Sequence, residues 1–183
     1  MDAFHLIRDG EVHWVQQKTM DKYFELFMAD HLIGTLAFRS AFGTLAEAVT
    51  SIQSWTFKRV GFFNTRVTIR KPDEELDHAT FYPRIFGDGV LQIMDGRSFS
   101  WAPLNFWRTR WVFYDNGDIP VLQFWEGSQE FKISEIFKTQ AAVEILDASL
   151  SEEQLSLLVP FGFYLIIMHK NDTAAGAAAA SSS

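Results

Sequence analysis

The stretch Ser151–Met168, SEEQLSLLVPFGFYLIIM, decides the fold of this 183-residue chain. From Leu155 to Met168 it holds one serine, no charged residue, and otherwise only apolar residues and glycine. A helix without a polar face belongs inside a core, whereas a membrane span needs about 20 apolar residues. The stretch therefore predicts a helix buried in its own domain. A membrane tail anchor and a helix buried against a partner subunit are the two alternatives.

Both ends of the stretch carry helix signals, which predict a helix over residues 152–169. Ser151 and Gln154 fit a capping box, in which each side chain bonds the backbone amide of the other residue. Basic residues follow the apolar run, where cations are favoured by the negative end of the helix dipole. Gly162, inside the run, would let another chain segment approach the helix closely.

Upstream, short apolar and aromatic runs alternate with turn signals such as Gly87-Asp88-Gly89. Turns at this spacing predict an antiparallel meander of about ten to twelve strands. We expect a mainly β fold, an antiparallel β-barrel with the hydrophobic C-terminal helix buried in it. The strand over 55–63 has no purely polar face, so we expect it to be covered on both sides. The expected strands cover residues 22–27, 32–38, 46–50, 55–63, 66–70, 79–82, 90–93, 98–101, 110–114, 121–125, 131–137 and 141–146.

The chain is long enough for one domain with a sizeable core. We divide it into an N-terminal arm or hairpin at residues 1–20, a barrel domain at 21–170 and an Ala/Ser-rich tail at 171–183. The hairpin would turn at the Asp-Gly pair of residues 9–10, which suits a tight turn. Gly176 and the final serines favour a flexible tail over a continued helix.

Composition narrows the possible functions. With 16 Lys and Arg against 23 Asp and Glu, the net charge is −7, which argues against a nucleic-acid partner. The chain has no Cys, so disulfides and thiolate metal sites are excluded. The N-terminus lacks a basic segment followed by a long apolar run, so no signal peptide is expected. We expect a cytoplasmic protein, with peripheral attachment to a membrane as an option.

No catalytic or metal-binding constellation stands out. The five histidines show neither the i, i+4 nor the HxH spacing of a zinc site. The acidic run at 73–77 suits a solvated hairpin tip, because a calcium loop needs alternating ligands and a distal Glu. Other Asp residues stand beside glycines, where turn geometry alone favours them. We therefore expect no metal, no cofactor and no enzymatic activity.

Basic residues cluster in this otherwise acidic chain. Lys58 and Arg59 in one expected strand precede Arg66, Arg70 and Lys71 in and after the next. If these strands pair, part of the group could face anionic lipid headgroups or an acidic partner. Ordinary surface charges balanced by nearby acids are the alternative. We take Arg66, Arg70 and Lys71 as candidate contacts to a partner or a lipid.

A second candidate is the aromatic, Pro-containing segment WAPLNFW at 101–107. Arg108 and Arg110 follow it, and both Trp and Arg are enriched at interface hot spots. The segment could anchor a partner, or it could fold over the barrel mouth, since Trp is usually mostly buried. The candidate contacts here are Phe106, Trp107, Arg108 and Arg110.

Two segments carry a resemblance to a known family. Residues 89–101, GVLQIMDGRSFSW, and 111–124, WVFYDNGDIPVLQF, combine aromatic strands, Asp/Gly turns and apolar strands. Together with the LLxxxGxYLI-type helix, they resemble the tubby C-terminal-like superfamily, which includes the LURP-one-related and phospholipid-scramblase-like proteins. The resemblance implies a twelve-stranded β-barrel threaded by a hydrophobic C-terminal helix. The family's phosphoinositide-binding basic residues and calcium segment have no matching motif here, so it implies a fold and not an activity.

Three functions are compatible with the sequence. The first, which we favour, is a non-enzymatic binding or accessory protein that docks on a protein complex or a membrane surface. Its partner would be another protein or a membrane-associated complex, with anionic lipid as an option. The second is a lipocalin-like carrier of a small hydrophobic ligand, which needs an empty barrel with the helix packed outside it. The third is an enzyme whose pocket gathers dispersed Asp and His residues.

Overall fold

In the residues that the structure describes, the protein forms a closed β-barrel of twelve antiparallel strands and one helix. The structure is a computed structural model, and it describes residues 12–17, 22–40, 43–116, 118–127 and 139–181. The helix, α1, spans Glu152–Ser181. The strands are β1 (Val12–Val15), β2 (Tyr23–Met28), β3 (His31–Phe38), β4 (Ala46–Thr50), β5 (Ser54–Val60), β6 (Arg66–Arg70), β7 (Ala79–Pro83), β8 (Gly89–Ile93), β9 (Ser98–Pro103), β10 (Arg110–Tyr114), β11 (Pro120–Glu126) and β12 (Thr139–Ile145).

Each strand pairs with its neighbours in sequence, and β1 pairs with β12 to close the barrel. At the closure, Trp14 of β1 stands opposite Ala141 of β12 on one side and Leu26 of β2 on the other. A closed barrel has no free sheet edge, so every strand has a hydrogen-bonded partner on both sides. The expected antiparallel meander is confirmed.

The first half of α1 fills the barrel. All residues of the 155–168 segment are buried. Phe163 stacks on Trp14 of β1 and Phe161 lies against Phe57 of β5, with ring centroids 4.6 and 5.3 Å apart. The helix has no polar face because strands on different sides of the barrel surround it. The buried helix is confirmed, and the tail-anchor and partner-subunit alternatives for it are wrong.

Strand side chains alternate between the filled interior and the outer surface. On β5, Trp55 and Phe57 are fully buried, whereas Lys58 is exposed. The expectation that residues 55–63 are covered on both sides is wrong. The barrel is packed on its inner face, where the helix lies, and the outer face of this strand meets solvent.

Two local expectations for α1 are confirmed. Ser151 Oγ accepts a hydrogen bond from Gln154 N at 3.2 Å, and Ser151 N donates to Gln154 Oε1 at 2.8 Å, which completes the capping box. Gly162 lies against the ring of Phe124 on β11, where an added Cβ would stand 2.6 Å from Cε2. The missing side chain therefore lets β11 and the helix approach this closely.

The N-terminal boundary of the barrel differs from the expected one. β1, at Val12–Val15, belongs to the barrel and not to an arm over residues 1–20. Buried Trp14 packs on the helix and holds the strand in place. The hairpin expected over residues 4–15 is wrong for its second strand, because residues 12–15 pair with β2 and β12. Its first strand and the expected strand over 131–137 lie outside the described residues. The other expected strands are present, with ends that differ by at most three residues.

The helix continues to Ser181 instead of ending at residue 169 before a flexible tail. Its buried half supplies a formed helix, and adding turns to it costs little because nucleation is the unfavourable step. Alanine, the strongest helix former, favours continuation through the 174–180 segment despite Gly176. Residues 170–181 are all exposed, so this half of α1 projects from the barrel.

Candidate functional site

The position of α1 distinguishes the two rims of the barrel. We call the rim where α1 begins the entry rim, and the rim where it leaves the barrel the exit rim. Three consecutive hairpin loops lie on the exit rim: β5–β6 (residues 61–65), β7–β8 (84–88) and β9–β10 (104–109). Residues from all three loops line one cavity together with α1, so the loops are close neighbours in space.

The structure separates the predicted basic residues between the two rims. β5 and β6 pair, as expected, but β6 runs from the exit rim at Arg66 to the entry rim at Arg70. Arg70 Nε lies 2.6 Å from Asp77 Oδ1, and Lys71 Nζ lies 3.4 Å from Glu153 Oε1. Arg70 and Lys71 therefore bind groups of the entry rim. They do not share a surface with Arg66, because the strand between them spans the barrel wall.

Each of the three exit-rim loops presents two large hydrophobic side chains that are at least 65% exposed. Two of these residues are predicted contacts, and the other four were not predicted. Residues 62–63 fell within an expected strand, and residues 85–86 carried no signal beyond a neighbouring turn. Large contiguous apolar patches are uncommon on monomeric proteins and mark interaction sites. The exposed fractions are 89% for Phe62, 98% for Phe63, 92% for Ile85, 65% for Phe86, 90% for Phe106 and 79% for Trp107.

The β9–β10 loop is anchored below its exposed tip. On the flanking strands, Trp101 and Trp111 are buried and stack with ring centroids 5.3 Å apart. Asn105 Oδ1 accepts hydrogen bonds from the backbone amides of Thr109 at 3.0 Å and Arg110 at 3.2 Å. Phe106 and Trp107, at the tip of the segment, are exposed, so the alternative in which they fold over the barrel mouth is wrong. The buried tryptophans are the ones in the strands.

Basic side chains accompany the exposed hydrophobic residues of the exit rim. Arg66 and Arg110 are exposed, and neither forms an ion pair with another described residue. Arg84 Nη1 lies 3.8 Å from Asp88 Oδ2, a distance too long for a hydrogen bond. Arg66 and Arg110 thus offer positive charge without an ion pair on a chain whose net charge is −7, and Arg84 adds a charge that Asp88 compensates in part.

A cavity of about 450 Å³, which we call the mouth cavity, opens on the exit rim beside α1. Its apolar lining includes Leu165 and Met168 of α1 and Phe81 of β7, which belong to the top of the core. Apolar and basic groups therefore face the same space. The charged or titratable residues that line it are Arg59, Arg84, Arg108, His169 and Asp172.

The carboxylate that lines the mouth cavity is already engaged. Asp172 accepts two hydrogen bonds from Arg59, at 2.9 and 2.8 Å. The hydrogen bond to Asp172 raises the pKa of Arg59 and outweighs the opposing effect of burial. This pair ties α1 to β5 where the helix leaves the barrel. Arg108, by contrast, forms no ion pair within the described part of the chain.

His169 lines the same cavity beside Arg108. Burial lowers its pKa, and the Arg108 guanidinium lowers it further, while nearby carboxylates act in the opposite direction. Its ring lies edge-on to Trp111, with centroids 5.1 Å apart. Gly87, at φ 85°, leaves room for both rings, because a Cβ there would stand 3.3 Å from each.

The outer half of α1 leaves the exit rim as a helix with small side chains. Residues 173–181 are threonine, alanine, glycine and serine. At the base of this half, Lys170 Nζ lies 3.1 Å from Glu126 Oε2. The thirteen residues of the 169–181 segment form about 20 Å of helix at 1.5 Å per residue. A second cavity, of about 480 Å³, lies between this base and Trp107.

Acidic residues at turns hold those turns together. Asp95 Oδ1 accepts the backbone amide of Arg97 at 3.0 Å, and Asp147 Oδ1 accepts that of Ser149 at 2.8 Å. These hydrogen bonds and those from the two partners' side chains lower the pKa of both carboxyl groups. Asp95 precedes Gly96, so it has the turn role expected of the Asp residues beside glycines. Within the described ranges, no three His, Asp or Glu side chains are grouped so as to hold a metal ion.

Comparisons with known proteins identify no relative of this chain. No protein-family model, curated protein or solved structure matches it. Among the described residues, no helix is apolar over a length sufficient to cross a membrane. The geometry of the exit rim is therefore the basis for any statement about function.

Proposed function

We propose that this protein is a non-enzymatic accessory protein that docks on another protein through its exit rim. The observation that carries the proposal is the set of six exposed hydrophobic side chains on three adjacent loops. Burial of such side chains stabilises a complex, and Trp and Arg dominate interface hot spots. The most exposed hydrophobic residues of the entry rim, Leu76 at 71% and Met94 at 68%, are not aromatic, and they are less exposed than five of the six exit-rim residues.

The projecting half of α1 favours a protein partner over a membrane surface. This half extends about 20 Å from the barrel, so a flat bilayer would meet the helix before it met all three loops. The helix would then have to enter the bilayer with Lys170 and Asp172 at its base, which is costly. The net charge of −7 also opposes approach to an anionic membrane. A grooved protein surface can receive the helix and contact the loops together.

The chemistry of the exit rim defines the partner. Small side chains on residues 173–181 allow a groove wall or another helix to approach closely. The guanidinium groups of Arg66, Arg84 and Arg110 would face carboxylates at the border of the interface, where charge sets orientation and association rate. The proposed partner is thus a protein or complex with a narrow apolar groove bordered by acidic residues.

The two alternative functions have less support. A lipocalin-like carrier has less support, because residues 155–168 occupy the interior that its ligand would need. An enzyme with a dispersed site would gather several Asp and His residues in one pocket. The mouth cavity gathers His169 and Asp172, and Asp172 is bound to Arg59. This arrangement supports the proposal of a non-enzymatic role.

We also propose a distant relation to the tubby C-terminal-like superfamily. The support is architectural: twelve strands surround a hydrophobic C-terminal helix, as the resemblance implies. A shared architecture carries no activity with it, so the docking proposal does not depend on the relation. We place the protein in the cytoplasm, and at a membrane only where its partner is attached to one.

Site-specific photo-crosslinking tests the docking proposal. A photoreactive phenylalanine analogue would replace Phe106 on the exit rim and, separately, Ala177 on the projecting helix, in cells that express the protein. The same analogue at Leu76, which is 71% exposed on the entry rim, is the matched control. We expect one protein to be crosslinked from both Phe106 and Ala177 and not from Leu76. Equal crosslinking from the two rims would overturn the proposal.

Vesicle sedimentation tests the membrane alternative. The wild-type protein and the F106S/W107S variant would be mixed with vesicles of neutral phospholipid and with vesicles that contain anionic phospholipid. We expect both proteins to stay in the supernatant with either vesicle. Sedimentation of the wild type, abolished in the double variant, would replace the protein partner by a membrane surface.

A further inference from the structure

The mouth cavity has a chemistry of its own, distinct from that of the exposed loop tips. We propose that it binds a free amphiphile, an alkyl chain that ends in a carboxylate or phosphate group. Its volume of about 450 Å³ falls within the range of small-molecule sites, roughly 300–1,000 Å³. The cavity shares Arg84 and Ile85 with the docking surface, but Phe62, Phe63, Phe106 and Trp107 do not line it, so variants at those four positions test the two proposals separately.

The charges around the cavity select an anion. Of its three arginines, Arg59 is neutralised by Asp172 through two hydrogen bonds. Arg84 lies 3.8 Å from the carboxylate of Asp88, and Arg108 forms no ion pair with a described residue. The guanidinium of Arg108 therefore faces the cavity without an ion pair, and that of Arg84 has a carboxylate partner that is not within hydrogen-bond distance. Guanidinium pairs well with carboxylate and phosphate, because its N–H groups match two oxygens at once.

The floor of the cavity selects an apolar group. Leu165 and Met168 of α1, Val67 of β6 and Phe81 of β7 line it and are at most 9% exposed. An alkyl chain laid on these side chains would remove their remaining surface, and its own, from water. A ligand that is anionic at one end and apolar at the other matches both parts of the lining.

The backbone fixes the position of Arg108 at the end of the β9–β10 turn. Its amide donates to Asn105 O at 3.1 Å, which closes the turn. Arg108 adopts φ 54°, a left-handed conformation that Ala29, Asp73 and Asp118 also adopt. A hydrogen-bonded turn therefore carries the guanidinium that lines the cavity.

Calorimetric titration of the whole protein at pH 7.5 tests the proposal. The probes are decanoate and decyl phosphate below their micelle concentrations, with decanol, decyltrimethylammonium and inorganic phosphate as comparisons. We expect saturable one-to-one binding of decanoate or decyl phosphate. Decanol and the cation should bind at least tenfold more weakly, because neither can pair with guanidinium. Inorganic phosphate should bind weakly, because it lacks the chain that covers the floor.

Variants separate this site from the docking surface. Arg108→Gln and Arg84→Gln should each weaken binding of the anionic probe about tenfold, the usual effect of losing one charged hydrogen-bond partner. Arg97→Gln, which removes an arginine of the entry rim, is the matched control and should bind as the wild type does. F106S/W107S should also keep wild-type affinity for the probe. Thermal unfolding of each variant checks that it is folded.

Three results of the titrations with the wild type and the arginine variants would overturn the inference. They are equal affinity for decanol and decanoate, unchanged affinity of both folded arginine variants, and lack of saturable binding of either anionic probe. Binding of an anionic probe that F106S/W107S abolishes would also contradict it, because the exposed loop tips would then form the site.

Discussion

Gly162 shows how a single residue allows this barrel to close around its helix. The ring of Phe124 occupies the space where a side chain at position 162 would lie. Phe161 and Phe163, on either side of it, fill the adjacent interior. The sequence predicted a close approach at Gly162 because a glycine in an apolar helix has this use. It could not predict that Phe124 makes the approach, because the register between helix and strand depends on the whole barrel.

Gly162→Ala should destabilise the protein by about 1–3 kcal/mol, because the added methyl group overlaps the Phe124 ring in a packed core. Gly176→Ala, on the same helix, is the matched control. No atom lies within 4 Å of its added Cβ, and alanine favours a helix over glycine. Its stability should be unchanged or slightly raised. Urea denaturation measures both, and equal losses in the two variants would contradict the packing described here.

His78 and His169 should make the folded state less stable in mild acid. Burial lowers the pKa of both imidazoles in the folded protein, with contributions from Lys71 and Arg108 respectively. The unfolded chain, with a histidine pKa of about 6.5, then takes up protons first as the pH falls. The free energy of unfolding should therefore be highest above about pH 6.5 and decrease below it. Carboxylates titrate lower, near pH 4, so their effect is separate.

Urea denaturation between pH 8 and pH 5.5 checks this dependence. The H78Q/H169Q variant should lose most of the decrease, and the H31Q variant, altered at an exposed histidine, should keep it. A pH dependence that is the same in all three proteins would contradict the assignment to these two histidines.

Among the elements, α1 is one continuous helix with two different halves. Residues 155–168 are apolar and buried, and residues 170–181 are exposed. The start and the burial of its first half were predicted from the capping box and from the apolar run. The helical structure of its second half was not predicted, because Gly176 and the final serines favoured a flexible tail. The formed helix below residue 169 removes the cost of nucleation, and this tertiary effect overrides the local signal.

The Arg59–Asp172 pair should hold the base of the projecting half of α1. Arg59→Gln removes both hydrogen bonds, so amide exchange in residues 173–181 should become faster while exchange in the strands stays the same. The pair is partly exposed, so its effect on global stability should stay below about 1 kcal/mol. Arg39→Gln, which removes an exposed pair with Glu47, is the control. Unchanged exchange in Arg59→Gln would show that the pair does not fasten the helix.

At the scale of the whole molecule, the barrel could be predicted and the docking surface only in part. Turn spacing and one apolar helix are enough to indicate a closed meander with a filled interior. Phe106, Trp107, Arg108 and Arg110 were predicted as contacts from composition alone, and the structure places all four on the exit rim. The four hydrophobic residues of the other two loops could not be predicted, because loop exposure depends on where each strand ends. The separation of Arg66 from Arg70 likewise depends on the height of the barrel wall.

The native mass of the protein after gentle cell lysis tests docking through the exit rim. The chain alone has a mass of 21.0 kDa. We expect a larger particle that persists in mild detergent, returns to the mass of the chain in F106S/W107S, and is unchanged in the entry-rim variant L76S/M94S. A wild-type protein that migrates alone, or a large particle that survives in F106S/W107S, would contradict it.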